Sequence, residues 1–275
     1  MISVALCTFN GIKFLDQQLE SILSQTVSVD EIVICDDGST DGSKDLLSVY
    51  RSKYPNIIKL FFNETSLGTS KNFELAISKT NGDYIFLSDQ DDLWVEDKVK
   101  KTLAYFEENI SKKMVFTNGL LIDDYGNDLN NSLFEKFNFS ADVQKQWLDH
   151  QFVIINLINR TNKITGATVC FKKELKESFL PINTPCNFWH DAWIGLHAAK
   201  YNELGFLTDC LIKYRIHENQ QVGVNINNKD DHKSTGCKSK ESEFLAYLKR
   251  DFKDYIPYYD NGSKHLIRRI YNKIF

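Results

Sequence analysis

The chain has 275 residues, of which 42% are hydrophobic and 25% charged, with a formal net charge of −4. This composition is globular and holds enough apolar material for a sizeable core, which excludes a disordered chain. The acidic balance disfavours a whole-chain nucleic-acid binder.

In chain order, residues 2–7 form an apolar run and predict a strand. Residues 12–23 carry Phe14, Leu15, Leu19, Ile22 and Leu23 at helical spacing. Residues 31–35 are a second β-branched run, 41–53 a second helix and 57–62 a third strand. Residues 66–79 predict a helix, 84–87 a fourth strand and 95–107 a fourth helix. This alternation implies βαβ units and an α/β fold with a mostly parallel central sheet flanked by helices. No period of 20–50 residues marks a repeat array.

Further on, 115–122 predicts a strand, 123–139 a polar loop, 143–158 a helix, 164–171 a strand, 190–200 a helix and 206–216 a strand. Residues 224–240 read as polar and mobile, and 243–252 and 264–275 as terminal helices. No Pro/Gly/Ser linker divides the chain. The expected organisation is one domain over 1–223 and a C-terminal appendage of polar loop and helices over 224–275.

No stretch approaches the roughly 18 apolar residues of a spanning helix. The opening MISVALCTFN lacks the pattern of a secretory signal, so a cytoplasmic protein is expected. The six cysteines, Cys7, Cys35, Cys170, Cys186, Cys210 and Cys237, form no CxxC pair, which disfavours a zinc ribbon or redox motif. Cys7, Cys35 and Cys170 sit in apolar runs and read as reduced core residues.

In an open parallel α/β sheet, ligands bind outside the carboxyl ends of the strands. Three polar clusters fall there: Thr8-Phe9-Asn10-Gly11, the turn from Asp36 to Asp41, and Ser88-Asp89-Gln90-Asp91-Asp92. Clustered carboxylates repel unless a cation sits among them. Asp89-x-Asp91 offers hard oxygen ligands suited to Mg²⁺ or Mn²⁺, with substrate phosphates completing the shell. The plainer reading of both acidic turns is loop and cap chemistry, with Asp41 capping the next helix. The 13 glycines include no GxGxxG, no GxxxxGK[ST] and no GxSxG, which disfavours a dinucleotide oxidoreductase, a P-loop NTPase and an α/β-hydrolase.

The segments ISVALCTFN (2–10), EIVICDDGSTDGS (31–43), LGTSKN (67–72) and GDYIFLSDQDDLW (82–94) resemble the successive motifs of family 2 glycosyltransferases. The resemblance spans residues 1–217. SDQDDLW, ITGATVCF (164–171) and YRIHENQQVG (214–223) look most like the bacterial rhamnosyltransferase-like branch. The segment Trp189-His190-Asp191-Ala192-Trp193 departs from many members in lacking a Glu-Asp pair.

The resemblance implies a GT-A fold, a nucleoside diphosphate sugar donor and inverting chemistry, with 1–110 as the nucleotide-sugar half and 111–223 as the acceptor half. It implies that Thr8, Phe9 and Asn10 line the base and ribose pocket, that Asp37, with Asp36 as neighbour, binds the pyrimidine, and that Lys71 faces the diphosphate or ribose. Gln90 would belong to the same pocket. Asp89 would contact the ribose and the metal, Asp91 would ligate the metal, His217 would approach the metal or diphosphate, and Arg215 would sit near the diphosphate. Gly166 would border the acceptor. Asp191 is the candidate base for the acceptor hydroxyl, with an N-cap of the helix 192–200 as its plainer reading. Its neighbours Trp189, His190 and Trp193 are candidate acceptor contacts, with core packing as the plainer role of the tryptophans. His217 has a structural histidine as its plainer reading.

The expected function is metal-dependent transfer of a sugar from dTDP-rhamnose or a UDP-hexose to a glycan or lipid-linked oligosaccharide in bacterial surface polysaccharide synthesis. A sugar-nucleotidyltransferase and a non-catalytic sugar-nucleotide-binding protein are the alternatives. The basic, amphipathic stretch 264–275 suits an anionic membrane surface, which would place the protein peripherally on the inner face of the cytoplasmic membrane through 262–275; a helix packed on the domain is the plainer use.

Overall fold

The computed structural model describes residues 1–185, 188–218, 220 and 237–258. The first half alternates as expected: β1 (Ile2–Thr8), α1 (Ile12–Leu23), β2 (Glu31–Asp36), α2 (Ser43–Lys53), β3 (Ile58–Phe62), α3 (Thr69–Lys79) and β4 (Tyr84–Ser88). Helices cover both faces of the sheet. Val4 and Leu6 pack with Leu15, Leu19 and Ile22 of α1 on one face, while Ala5 and Cys7 pack with Phe73, Ala76 and Ile77 of α3 on the other. A strand buried on both faces is apolar at successive positions, which is why these runs were visible in the sequence.

The remaining elements are β5 (Leu93–Trp94), α4 (Lys98–Glu108), β6 (Met114–Ile122), β7 (Asp128–Ser132), α5 (Leu133–Lys136), α6 (Ala141–Gln146), α7 (His150–Ile158), β8 (Cys170–Lys172), α8 (Lys176–Phe179), α9 (His190–Lys200), β9 (Leu204–Arg215) and α10 (Cys237–Asp251). Among the described residues the sheet runs β3-β2-β1-β4-β8-β6-β9-β5, with β7 alongside β6. β3, β2, β1 and β4 are parallel. β8 runs antiparallel to both β4 and β6, β9 is parallel to β6, and β5 is antiparallel to β9. The parallel character therefore belongs to the first half, and the second is mixed. The chain steps outward from β1 to β2 and β3, then returns to the other side of β1 for β4. That reversal opens a crevice at the carboxyl ends of β1 and β4.

Several sequence expectations need correction. The predicted loop 123–139 contains β7 and α5. Ser132 and Glu135 close a capping box there, and a strand reading DLNNS has no apolar alternation to reveal it. The predicted helix 143–158 is two helices. Trp147 turns into an aromatic cluster with Phe116 and Phe139, and the Asp149 carboxylate accepts from Gln151 N–H to start α7 afresh. The predicted strand 164–171 is mostly a 3-10 turn, Gly166–Thr168, leading into the short β8. The helices expected from 41 and 66 start at Ser43 and Thr69, because Gly42 and Gly68 hold positive φ just before them. The helix expected from 95 starts at Lys98, after β5.

The helix expected over 243–252 begins at Cys237, and it is no loose appendage: Phe244, Leu248 and Phe252 are buried in the same cluster as Trp193 and Leu196 of α9. Cys7, Cys35 and Cys170 are free and buried, and Cys210 is free and half-buried. Cys186, the side chain of Cys237, most of the segment 224–240, the end of the motif 214–223 and the helix 264–275 lie outside the described residues. Among the described residues no helix is long and apolar enough to cross a membrane.

Candidate active site

The crevice at the switch point is lined by Thr8, Phe9, Asp37, Asn72, Phe73, Asp89, Gln90 and Asp91, with Tyr214 and Gln220 from the far side. Gln90 clamps the two central loops. Its carbonyl oxygen accepts from the Thr8 hydroxyl and Phe9 N–H, both at 2.7 Å, and its amide donates to Phe9 O at 3.1 Å. A Cβ at Gly11 would lie 2.2 Å from that carbonyl oxygen, so a larger residue there would push the Gln90 clamp out of place. Asn10, with φ +50°, turns away from the crevice: its side chain accepts from Thr40 N–H and its own N–H donates to Ser39 Oγ.

The two carboxylates of the second acidic turn have different tasks. Asp36 is fully buried and accepts from Gly38 N–H, Ser39 N–H and the Ser39 hydroxyl, so it builds the turn and offers nothing to the crevice. Asp37 lines the crevice. Burial would raise its carboxyl, but donation from Leu67 N–H, the Ser66 hydroxyl, the Asn63 amide and Gly68 N–H outweighs this and holds it below its ordinary range. Asp41 is not the cap of α2 that the sequence suggested, since Gly42 holds that position, but its carboxylate accepts from Ser43 N–H and Ile12 N–H and ties the turn to the start of α1. Lys71 does not reach the crevice. It pairs with Glu74 at 2.8 Å and lines a neighbouring groove.

The third cluster is the electrostatic centre. Burial, then the charges of Asp91 and Asp191, push the Asp89 carboxyl up to about 7. Asp91 Oδ2 lies 2.9 Å from His217 Nε2. Asp92 is buried; one oxygen accepts from Arg215 N–H at 3.0 Å and the other has no partner. Arg215, placed near the diphosphate by the sequence resemblance, is 1% exposed and fully engaged elsewhere. It donates to the carbonyls of Asp91, Asp123 and Asp124 and to Gln17, with its guanidinium 4.5 Å from the Phe14 ring centre. Its role is to brace the acidic loop against α1 and the turn after β6, which corrects that expectation.

Asp191 stands in the first turn of α9, with Trp189 as N-cap. Burial pushes its carboxyl up to about 7, against the pull of hydrogen bonds from Ala192 N–H, Gly166 N–H and the Asn162 amide. Its charge acts on Asp89, which places the two carboxyls in one electrostatic site. His190 stacks on Phe73 at 4.1 Å; neither ring nitrogen has a partner, and burial holds the imidazole down to about 3, so it is neutral. A Cβ at Gly166 would fall 2.8 Å from His190 Nε2, so glycine permits that approach. The tryptophans separate: Trp189 is 39% exposed on the groove, whereas Trp193 is buried and donates to Phe179 O. Trp193 thus has the packing role.

The donor set fits a hard divalent cation in part. Asp91 and His217 are already in contact, and Asp89 carries an unbalanced repulsion that a cation would relieve. Among the described residues no three His, Cys, Asp or Glu side chains stand in closed metal geometry. An open site completed by water and phosphate oxygens is the usual habit of Mg²⁺.

Sequence reasoning missed the supports. Gln18 donates to Ser88 Oγ and Asp89 O, and Asn72 links Asn63 to Cys35 O. Their signal was present: Gln18 and Asn72 are polar residues on the buried stripes of α1 and α3.

Comparison with known proteins agrees with this architecture. The family "Glycosyl transferase family 2" matches residues 3–163. EpsE of Bacillus subtilis (strain 168) is 34% identical over 125 residues, covering 46% of this chain and 45% of that protein. The dTDP-rhamnosyl transferase RfbG of Shigella flexneri is 29% identical over 242 residues, covering 84% of this chain and 78% of that one. Among solved structures, S. aureus TarS 1-349 in complex with UDP-GlcNAc superposes with a TM-score of 0.58 at 19% identity, covering 80% of this chain and 59% of that one. The mannosyltransferase PcManGT from Pyrobaculum calidifontis, with GDP-Man and Mn2+, gives 0.54 at 16% identity, covering 98% and 68%. The chain thus spans under half of EpsE and under two thirds of TarS 1-349. These likenesses identify the fold as GT-A, and the match over residues 3–163 makes the chain a member of glycosyl transferase family 2.

Proposed function

We propose that the protein is an inverting, metal-dependent glycosyltransferase that takes a sugar from dTDP-rhamnose or a UDP-hexose. The acceptor is a glycan or lipid-linked oligosaccharide of bacterial surface polysaccharide synthesis. The observation that carries this reading is the acidic cluster at the switch point of the sheet: Asp89 and Asp91 line the crevice, His217 bonds Asp91, and the charge of a protonatable Asp191 acts on Asp89. The RfbG likeness over most of both chains favours dTDP-rhamnose among donors.

In this reading Thr8, Phe9 and Asp37 receive the nucleoside, residues 1–110 bind the donor and 111–223 the acceptor. Asp91 and His217, with Asp89, would hold Mg²⁺ or Mn²⁺, which when bound would stabilise charge on the departing diphosphate. Asp191, held near 7, takes the proton of the acceptor hydroxyl as its oxygen bonds to the anomeric carbon. The bond from that carbon to the diphosphate oxygen breaks on the opposite face, which inverts the centre. The groove that meets the crevice at Thr69 and passes Trp189 is the acceptor's approach. The tail 262–275 is proposed to touch an anionic membrane surface; unchanged liposome cosedimentation after its deletion would remove that contact.

Calorimetric titration with UDP and dTDP, each with and without Mn²⁺, tests the donor site. Metal-dependent binding of one nucleotide is expected. A folded protein that binds neither with metal present would overturn the reading.

A further inference from the structure

Lys98 is a lysine with no exposed surface, a placement almost never seen unless the charge is engaged. It opens α4, and its side chain runs inward on the stripe shared with Val99, Thr102 and Phe106. Its ammonium, which burial brings down to about 7, lies 4.1 Å from the Trp94 ring centre and donates to the carbonyl of Ala167 at 2.7 Å, a bond that the neutral amine can also make. Ala167 is the middle residue of the 3-10 turn Gly166–Thr168. The residue before it, Gly166, donates its N–H to the Asp191 carboxylate and lies directly under His190. Lys98 also acts electrostatically on Asp89 and Asp92, the second of which keeps one buried oxygen without a partner.

These contacts form one chain of parts. The acidic loop after β4 sits on one side of the ammonium, and the turn that orients the candidate base sits on the other. A neutral side chain at 98 would leave Ala167 O without its partner, and an unmade buried hydrogen bond is costly enough to move a short turn. A shift of the turn moves the Gly166 N–H, and with it the Asp191 carboxylate.

We propose that Lys98 is a positioning residue for glycosyl transfer, its buried ammonium tying the Gly166–Thr168 turn, and through it Asp191, to the acidic loop that faces the donor. This rests on the proposed function. Lys98 touches neither donor nor acceptor, so its loss acts on turnover before it acts on nucleotide binding.

The test compares Lys98→Met, Lys98→Gln and Lys98→Arg with the wild-type full chain. Three readouts apply: calorimetric binding of dTDP and UDP with Mn²⁺, turnover with dTDP-rhamnose or UDP-GlcNAc by nucleotide release, and amide hydrogen exchange over residues 164–170. The neutral variants are expected to bind the nucleotide as wild type does, to exchange faster at 166–169, and to lose about 10- to 100-fold in kcat. Lys98→Arg is expected to recover part of that loss. A neutral variant with wild-type kcat overturns the proposal, as does an equal loss in nucleotide affinity and turnover. If both neutral variants fail to fold while Lys98→Arg folds and turns over normally, Lys98 is a stabilising cation only and the positioning role is overturned. A wild-type chain that binds no nucleotide fails at the earlier step, which separates the two readings.

Discussion

Asp191 combines two properties that oppose each other in stability and agree in chemistry. Its carboxyl is buried and raised to about 7, so the folded protein pays to ionise it. The folded state holds this proton more tightly than the unfolded one, whose carboxyl titrates near 3.9. The contribution to stability is therefore full below about pH 4 and is lost as pH rises through about 7. Asp191→Asn keeps an oxygen to accept from Ala192 and Gly166 and removes the buried charge. Its melting temperature is expected to exceed that of wild type at pH 8, the gap closing towards pH 5; equal melting at both would contradict the raised carboxyl. The same substitution removes the proposed base, so kcat is expected to fall by about 10²- to 10⁴-fold with nucleotide binding retained. The wild-type rate is expected to rise with pH through about 7. Arg215 carries the opposite lesson: it is a buried cation spent on carbonyls and on Gln17. Arg215→Met leaves those acceptors unpaired beside buried Asp92. A loss of about 3–5 kcal/mol in urea unfolding is expected, before any question of catalysis.

At the scale of elements, the site depends on what holds its loops at a distance. Asp191 stands in the first turn of α9, behind the groove-lining Trp189, and α9 shares one core cluster with Phe244 and Leu248 of α10 and Phe252 just after it, with the Tyr247 hydroxyl 2.9 Å from His197 Nε2. Phe244→Ala empties a buried position against Phe188. A loss of about 3–5 kcal/mol by chemical denaturation is expected. A loss under 1 kcal/mol would mean that α10 is not packed as described. Such packing was partly legible. The apolar spacing of 243–252 marked a helix, but its partner is some 50 residues away, and no local pattern names a partner. The strand DLNNS and the break at Trp147 were illegible for a related reason. Their conformations are imposed by β6 and by an aromatic cluster gathered from distant parts of the chain.

At the scale of the molecule, the acidic crevice is stable only if its charges are balanced. A ligand that binds the folded state alone stabilises it by mass action, by about 2.7 kcal/mol at a hundredfold excess over Kd. UDP or dTDP with Mn²⁺ is therefore expected to raise the melting temperature, and EDTA to abolish the increase. An increase that survives EDTA would detach the acidic loop from metal binding. The sequence by itself determined the βαβ order of the first half and the two acidic turns at the ends of β2 and β4. Strands buried on both faces and polar clusters at their ends leave a local imprint. Tertiary structure alone decided which carboxylates face the crevice. Asp36 and Asp37 are neighbours in sequence, yet one builds its own turn and the other lines the site. Likewise, only folding sends Arg215 into the interior, leaves Trp189 exposed while burying Trp193, and places Lys98 beneath the loops. The reason is physical: residue type and spacing specify what a side chain can do, whereas its surroundings, drawn from residues up to about 200 positions away as between Arg215 and Gln17, specify what it does.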